Sequence, residues 1–380
     1  MYQRLLAFLR CPACHDPLEV EVLVDAETEH GREISEGLLH CSGDHWFPVT
    51  GGIPRMLPDS LESHWEAVER HVGEGASPAV AALSARLRAG KAETSEYDRR
   101  TRENFSLEWQ RHEPGAKTWG MELDHRVKEY FLDSIRIPLG DLDGKTVLDA
   151  GCGNGSQSVA YTRFGVEVVA MDLSSGLEHG HQLRHRLLGA RPDRVHFVEG
   201  DLQAPPLAPA QFDVIHSGGV LHHTPNTEVT FRRLMPLLRP GGTSYVWLYK
   251  YEAVVTPVVN SLRTLSTRMP PARFAKVADG LAGAFQLFCR GTNKLGLRSY
   301  PPMSRREAAL ALLDIFGAPY AHYHSFDEVA AWYRSEGFDE IWARNDSRRG
   351  FGICGRLPSA AVPAFVEPAA SRADRIADPA

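Results

Sequence analysis

The chain has 380 residues, of which 43% are hydrophobic and 24% charged, and a formal net charge of −6. These values fit a globular protein of two or three domains and exclude a fibrous or wholly disordered chain. No run of about 18 apolar residues occurs, so no spanning helix is expected. The short apolar run within Met1–Arg10 lacks a small-residue cleavage site, so no signal peptide is expected either. Six unevenly placed cysteines do not make a secreted disulfide framework, and a reducing, cytoplasmic location is expected.

Residues 1–60 form the first unit. Cys11-Pro-Ala-Cys14 is a zinc-knuckle spacing that puts two thiolates on one turn, and Cys41 with Asp44 or His45 could complete a tetrahedral donor set. The alternatives are a metal-free ribbon and a redox Cys-x-x-Cys; no thioredoxin-like βαβ pattern surrounds the latter. Four basic and ten acidic side chains give this unit −6 and leave the remaining 320 residues neutral overall. Such a charge repels a phosphate backbone, so the unit is expected to dock on the rest of its own chain rather than to read RNA.

Residues 61–143 read as a helical linker and lid. Ser77–Gly90 is alanine-rich and predicts a helix, and the polar Lys91–Arg102 predicts a mobile link. Asn104–His112 and Thr118-Trp-Gly120 crowd aromatics ahead of a predicted helix over Glu122–Ile135. Trp109 and Trp119 are candidates for stacking on a cofactor or substrate and equally for core anchors, since a tryptophan buries much apolar area either way.

The most informative stretch opens the unit spanning 144–250. Val147 and Leu148 run into Asp149, and glycines follow at 151, 153 and 155. This pattern predicts a buried strand, a tight turn that brings backbone N–H groups close to a ligand, and a helix over Gln157–Phe164. Val166–Asp172 is a second strand ending in an acid, placed to accept hydrogen bonds from both hydroxyls of a ribose. Val195–Asp201 is a third, whose terminal acid could face an exocyclic amine. Phe212–Ser217 is a fourth strand and leads into Gly218-Gly-Val-Leu-His-His-Thr-Pro225. A helix over Glu228–Leu238 stops at Arg239-Pro-Gly-Gly242, and Thr243–Tyr249 is a fifth strand.

This succession resembles the class I S-adenosylmethionine-dependent methyltransferases, in particular their small-molecule, type 11-like branch. The likeness is strong over 144–250 and weaker over 326–356. A Rossmann dehydrogenase matches the first two units but leaves Leu221-His-His223 and Arg239-Pro-Gly-Gly242 unexplained. The resemblance implies an α/β, Rossmann-like seven-stranded sheet with helices on both faces. By the same resemblance, Asp149, Gly151, Gly153 and Gly155 surround the methionine part of S-adenosylmethionine and Asp172 holds its ribose. Asp201 and Leu202 border the adenine, Ser217 with Gly218 closes the pocket, and Leu173 and Trp119 complete the cofactor-binding set. At the N-terminus, Leu9-Arg-Cys-Pro-Ala-Cys14, Leu39-His-Cys41, Phe47–Pro54 and Met56-Leu57 are similar to the small zinc-ribbon-like family whose eukaryotic members activate tRNA, rRNA and release-factor methyltransferases. Asp44 stands where that family often carries a fourth cysteine.

Residues 251–324 are a long insertion after the fifth strand, expected to form a helical substrate cap at the carboxyl edge of the sheet. Over 250–306, ten basic side chains face only Glu252 and Asp279. That excess suits an anionic small or carrier-linked acceptor; nucleic acid and an anionic membrane surface are further candidates, and a solvated basic face is the plain alternative. The run Ala318–His324 could reach the active site. Ser325 is a fair N-cap with Glu328 at the capping-box position, Gly337 ends that helix, and Phe338–Ala343 and Gly350–Arg356 are predicted as an antiparallel pair closing the core over 325–356. Residues 357–380, rich in Ala and Pro, are expected to be a disordered tail.

Methyl transfer from a sulfonium releases a neutral sulfide, so a base is needed only if the acceptor must lose a proton. His222 and His223 follow the fourth strand, near the expected acceptor, and either could act as that base or serve packing. Tyr249, Tyr320, His322 and His324 are lesser candidates. The expected function is methyl transfer, preferably to oxygen, on a small or carrier-linked metabolite. The alternatives are a tRNA or rRNA methyltransferase with a built-in activator and a non-catalytic scaffold. Oligomeric state is not legible.

Overall fold

The computed structural model describes residues 1–72, 79–81, 83, 96–113, 115, 117, 118, 120–296, 302–347 and 349–359. The N-terminal unit is an antiparallel meander of β1 (Glu19–Thr28), β2 (Gly31–His40), β3 (Trp46–Thr50) and β4 (Ile53–Pro54). Adjacent residues of a strand face opposite ways. Leu38 accordingly packs with Trp46 against Trp65 and Val68 of helix α1 (Ser60–Glu69), while Leu39 and Phe47 join the core of the main domain.

Helix α2 (Glu96–Arg111) corrects the expected mobile link over Lys91–Arg102, since residues 96–102 form its first turns. Two arginines there are anchors. Arg102 makes a two-pronged ion pair with Asp59 at 3.0 and 2.6 Å, and Arg100 donates to the carbonyls of Thr267 and Met269. The expected helix over Ser77–Gly90 is seen at 79–81 and 83; its remainder lies outside the described residues. Helix α3 follows in three contiguous pieces, Leu123–Arg126, the π-helical Val127–Leu132 and Asp133–Ile135, and ends where Arg136 takes a left-handed φ of 51°.

The main domain alternates β5 (Thr146–Ala150), α4 (Ser156–Tyr161), β6 (Glu167–Asp172), α5 (Leu177–Leu183), β7 (Val195–Glu199), β8 (Phe212–Gly218), α6 (Thr227–Leu234) and β9 (Leu238–Tyr249). The insertion supplies α7 (Val255–Ser266), α8 (Pro271–Lys294) and α9 (Arg305–Gly317). Helix α10 (Phe326–Ser335), β10 (Glu340–Arg344) and β11 (Gly350–Arg356) complete the fold. The seven strands run in the order β10-β11-β9-β8-β5-β6-β7; β5 to β9 are parallel, and β11 is antiparallel to both β9 and β10. The chain leaves β5 toward β7 and then returns to place β8 on the other side. That reversal opens a crevice at the carboxyl ends of β5 and β8, the usual ligand site of such sheets. Helix α6 stops short of the expected Leu238, because Pro236 lacks an N–H and the chain tightens into a 3-10 turn before β9.

The N-terminal unit docks on the β7 side of this sheet. Arg10 donates from its N–H to the Pro206 carbonyl at 2.9 Å, Ala208 to Phe8 at 2.7 Å and Met56 to Glu199 at 2.8 Å. Leu5, Phe8 and Leu9 share one core with Leu202, Leu207 and Phe212. Arg55, 5% exposed, pairs with Glu178 at 3.0 Å and faces Glu199 at 3.8 Å. Replacing Arg55 with Ala leaves the buried Glu199 carboxylate facing only His64 among the described residues, at 3.7 Å, and is expected to lower stability by about 2 kcal/mol in urea unfolding.

Candidate active site and metal centre

The crevice begins at the glycine turn after β5. Gly151 and Gly153 have φ of 85° and 58°; a Cβ on Gly151 would come within 2.3 Å of Val220, and one on Gly153 within 2.5 Å of the Trp109 ring. Only glycine fits both the backbone and the space. Asp172 at the end of β6 accepts the N–H of Gly153 on Oδ2 and that of Ser174 on Oδ1, both at 2.8 Å. Burial raises the pKa of its carboxyl, opposed by these donors. Asp149 is turned to other partners: Ser158 donates to it at 2.6 Å and the His216 ring lies 3.3 Å away, so its carboxylate braces the start of α4. Asp201 is half-buried and caps the N–H of Gln203 at 2.8 Å, Leu202 is buried beside it, and Leu173 is half-buried. Ser217 donates to the Ala150 carbonyl at 2.9 Å, tying β8 to β5 at the crevice. Gly155 opens α4 with φ 67°. Trp119 lies outside the described residues.

Helix α2 covers the crevice with an unusual face. Thr101, Asn104, Glu108 and His112, spaced three, four and four residues apart, are polar and buried, with Asn104 and Glu108 only 0% and 1% exposed. Neither polar atom of the Asn104 side chain has a hydrogen-bond partner, nor does Oε2 of Glu108. A helix that turns a polar stripe inward breaks the usual burial pattern, and such breaks concentrate at functional sites. Along the same helix Phe105 meets the His223 ring edge-on at 5.3 Å, the Ser106 hydroxyl accepts the Ser175 N–H at 3.1 Å, and Trp109 covers Gly153. One helix therefore touches both the glycine turn and the histidines after β8.

Those histidines divide. His222 is fully buried with both ring nitrogens unpartnered, its ring 3.9 Å from that of Tyr249; burial first, then His223, His324 and His322, hold its pKa well below the ordinary value. His223 sets Nδ1 2.8 Å from the Tyr320 carbonyl and Nε2 3.4 Å from Asp314. Tyr249 donates to the other oxygen of Asp314. Burial works against the Asp314 charge, yet His223 and Tyr249 hold its carboxyl below the usual range. Glu108 shows the reverse: burial, then the charges of Asp314 and Asp172, push it well above that range. Glu108 thus senses both ends of the crevice. His322 sets Nε2 3.0 Å from the Thr224 carbonyl, and His324 pairs with Glu328 at 2.9 Å.

Sequence reasoning did not single out Asn104, Glu108 or Asp314. The signal for Asp314 was present: it is the lone acid in the apolar run Ala308–Phe316.

In the N-terminal unit, the ligand atoms of Cys11, Cys14, Cys41 and His45 lie within 4.8 Å of one another. The Cys14 and Cys41 sulfurs are 3.6 Å apart, and His45 Nδ1 lies 3.6 Å from Cys11 and 3.3 Å from Cys41. Tetrahedral zinc with bonds of about 2.3 Å to sulfur and 2.0 Å to nitrogen sets such edges at about 3.5–3.8 Å, so the donor set fits that ion. Of the two fourth ligands considered, Asp44 is turned away and accepts the Trp46 indole N–H at 2.6 Å.

Comparison with known proteins agrees with this architecture. The family described as "Methyltransferase domain" matches residues 148–246, and "Trm112p-like protein" matches 3–52. A Xanthomonas euvesicatoria protein named ubiquinone biosynthesis O-methyltransferase is 36% identical over 200 residues, covering 52% of this chain and 74% of its own. An uncharacterised Synechococcus protein is 34% identical over 220 residues, covering 56% of this chain and 51% of its own. The chain spans about half the length of the curated relatives it matches first. Among solved structures, a complex of the Haloferax volcanii Trm112 methyltransferase activator and a methyltransferase superposes with a TM-score of 0.40 at 14% identity, covering 68% of this chain and 97% of the other. The chain belongs to the class I S-adenosylmethionine-dependent methyltransferases and carries a Trm112-like module at its N-terminus.

Proposed function

We propose that this chain transfers a methyl group from S-adenosylmethionine to an oxygen of a small or carrier-linked acceptor. The carrying observation is the inward polar stripe of α2, which brings Glu108, its Oε2 without a hydrogen-bond partner, under the charges of both Asp172 and Asp314. Asp172 and the glycine turn would hold the donor, which when bound supplies a methyl group on a sulfonium. In this reading Asp314 and His223 take the proton from an acceptor hydroxyl, and the contacts that hold the Asp314 carboxyl below the usual range support an ionised base there. Burial favours the protonated form of Glu108, which would offer the acceptor a hydrogen-bond donor, and Trp109 with Phe105 would exclude water. The relative named a ubiquinone biosynthesis O-methyltransferase supports oxygen as the acceptor atom.

The test is incubation of metabolite extracts with protein and donor, followed by mass spectrometry for species that gain one CH₂ unit. No such species, together with no calorimetric affinity for the donor, would return the chain to a scaffold. With the acceptor found, Asp314→Asn is expected to lower kcat on the order of 100-fold and leave donor affinity unchanged. Because the ionised form acts, the acid limb of kcat that reports Asp314, measured at saturating donor, should lie below the usual carboxylate range, whereas donor binding through Asp172 should weaken at higher pH because burial raises that carboxyl. A second reading, a tRNA or rRNA methyltransferase, draws support from the Trm112-like module. It requires salt-dependent RNA binding, and filter binding that finds none at low salt dismisses it.

A further inference from the structure

Thirteen large apolar side chains are exposed among the described residues, and ten of them lie between Tyr251 and Leu295. They are ordered. Val254, Val258, Leu262 and Leu265 recur at helical spacing along α7, with Val254 79% and Leu265 69% exposed. On α8, Val277, Leu281, Phe288 and Leu295 continue the pattern, the last just past the helix end. Helix α7 is inverted relative to a water-facing helix. Its apolar residues meet solvent, while Thr256, Arg263 and Ser266 are buried and the Arg263 guanidinium donates to the carbonyls of Ile315 and Ala318. Exposed cations border the stripe: Arg268 and Arg273 flank the α7–α8 turn, and Lys276, Arg290 and Lys294 follow along α8.

We propose that the α7–α8 face docks on an anionic lipid bilayer. Apolar side chains on one stripe with lysine and arginine beside them are the chemistry of a helix lying in the headgroup boundary, where the stripe meets acyl chains and the cations meet lipid phosphates. No described helix is long and apolar enough to cross the membrane, so attachment is interfacial. A second copy of the chain fits less well. Its only large exposed apolar surface among the described residues is the same stripe, and stripe-to-stripe pairing would press the two cationic borders together. Arg263 reaches from α7 to the carbonyls of Ile315 and Ala318, one and four residues beyond Asp314, so docking would bring the acceptor crevice toward the lipid surface.

The test is flotation of the full chain with vesicles of phosphatidylcholine alone and with about one-third phosphatidylglycerol. The wild type is expected to float with the anionic vesicles and to remain below with the neutral ones. The double variant Leu262→Glu/Phe288→Glu changes two exposed side chains and should reduce the bound fraction about tenfold or more, with unchanged calorimetric affinity for S-adenosylmethionine. Lys276→Gln/Lys294→Gln should weaken binding to the anionic vesicles. Wild type that does not float, a double variant that floats equally well, or a lipid-free dimer that the double variant dissociates would overturn the proposal. Flotation by a wild type that binds no S-adenosylmethionine would instead sink the catalytic reading and leave the docking intact.

Discussion

Asp172→Ala is expected to weaken S-adenosylmethionine binding about 100-fold, read by calorimetry, and to do so through two losses. The first, on the proposed reading, is the charged acceptor that the ribose hydroxyls would use, on the order of 1.5–3 kcal/mol for a hydrogen bond to an ionised group. The second is the anchor of the turn itself, because the same carboxylate holds the N–H groups of Gly153 and Ser174. Asp172→Asn separates the two. Its amide keeps one acceptor oxygen but turns N–H toward N–H at the other position, so it should retain only part of the affinity. An Asp172→Ala variant that binds the donor as tightly as wild type would take this residue out of ribose recognition.

The other large effect concerns the cysteine cluster. Purified, chelator-free protein should contain close to one zinc ion per chain by elemental analysis. Cys41→Ala, or chelation at mildly acidic pH where thiolate ligands protonate, should lower Tm by about 10 °C or more. The effect extends beyond the knuckle because Cys11 and Cys41 belong to the same core as Leu202, Leu207 and Phe212 of the main domain. Melting that is indifferent to metal and to Cys41 would establish a ribbon held by its apolar strands alone.

The parallel sheet was legible because its signals are local. A buried strand running into Asp149, glycines in left-handed turns and the capping box of Ser325 with Glu328 all stand in the chain order that the structure shows. Helix α2 was harder to read. Its buried positions, Thr101, Asn104, Glu108 and His112, are polar, so its periodicity resembles a solvated segment, and the ion pair of Arg102 with Asp59 joins residues distant in sequence. Asp314 and His223 lie far apart in the chain, and their meeting depends on how the insertion folds back over β9. The choice between Asp44 and His45 turned on side-chain direction, which neighbouring positions do not reveal.

Helix α2 rests on Gly153 through Trp109 and on His223 through Phe105, so it cannot lift at one end without loosening the other. Each reactant therefore meets an entrance shaped by whichever arrived before it, and departure of the demethylated donor becomes tied to release of the methylated product. Steady-state inhibition patterns should accordingly show that occupancy by one reactant changes the affinity for the other, rather than independent entry.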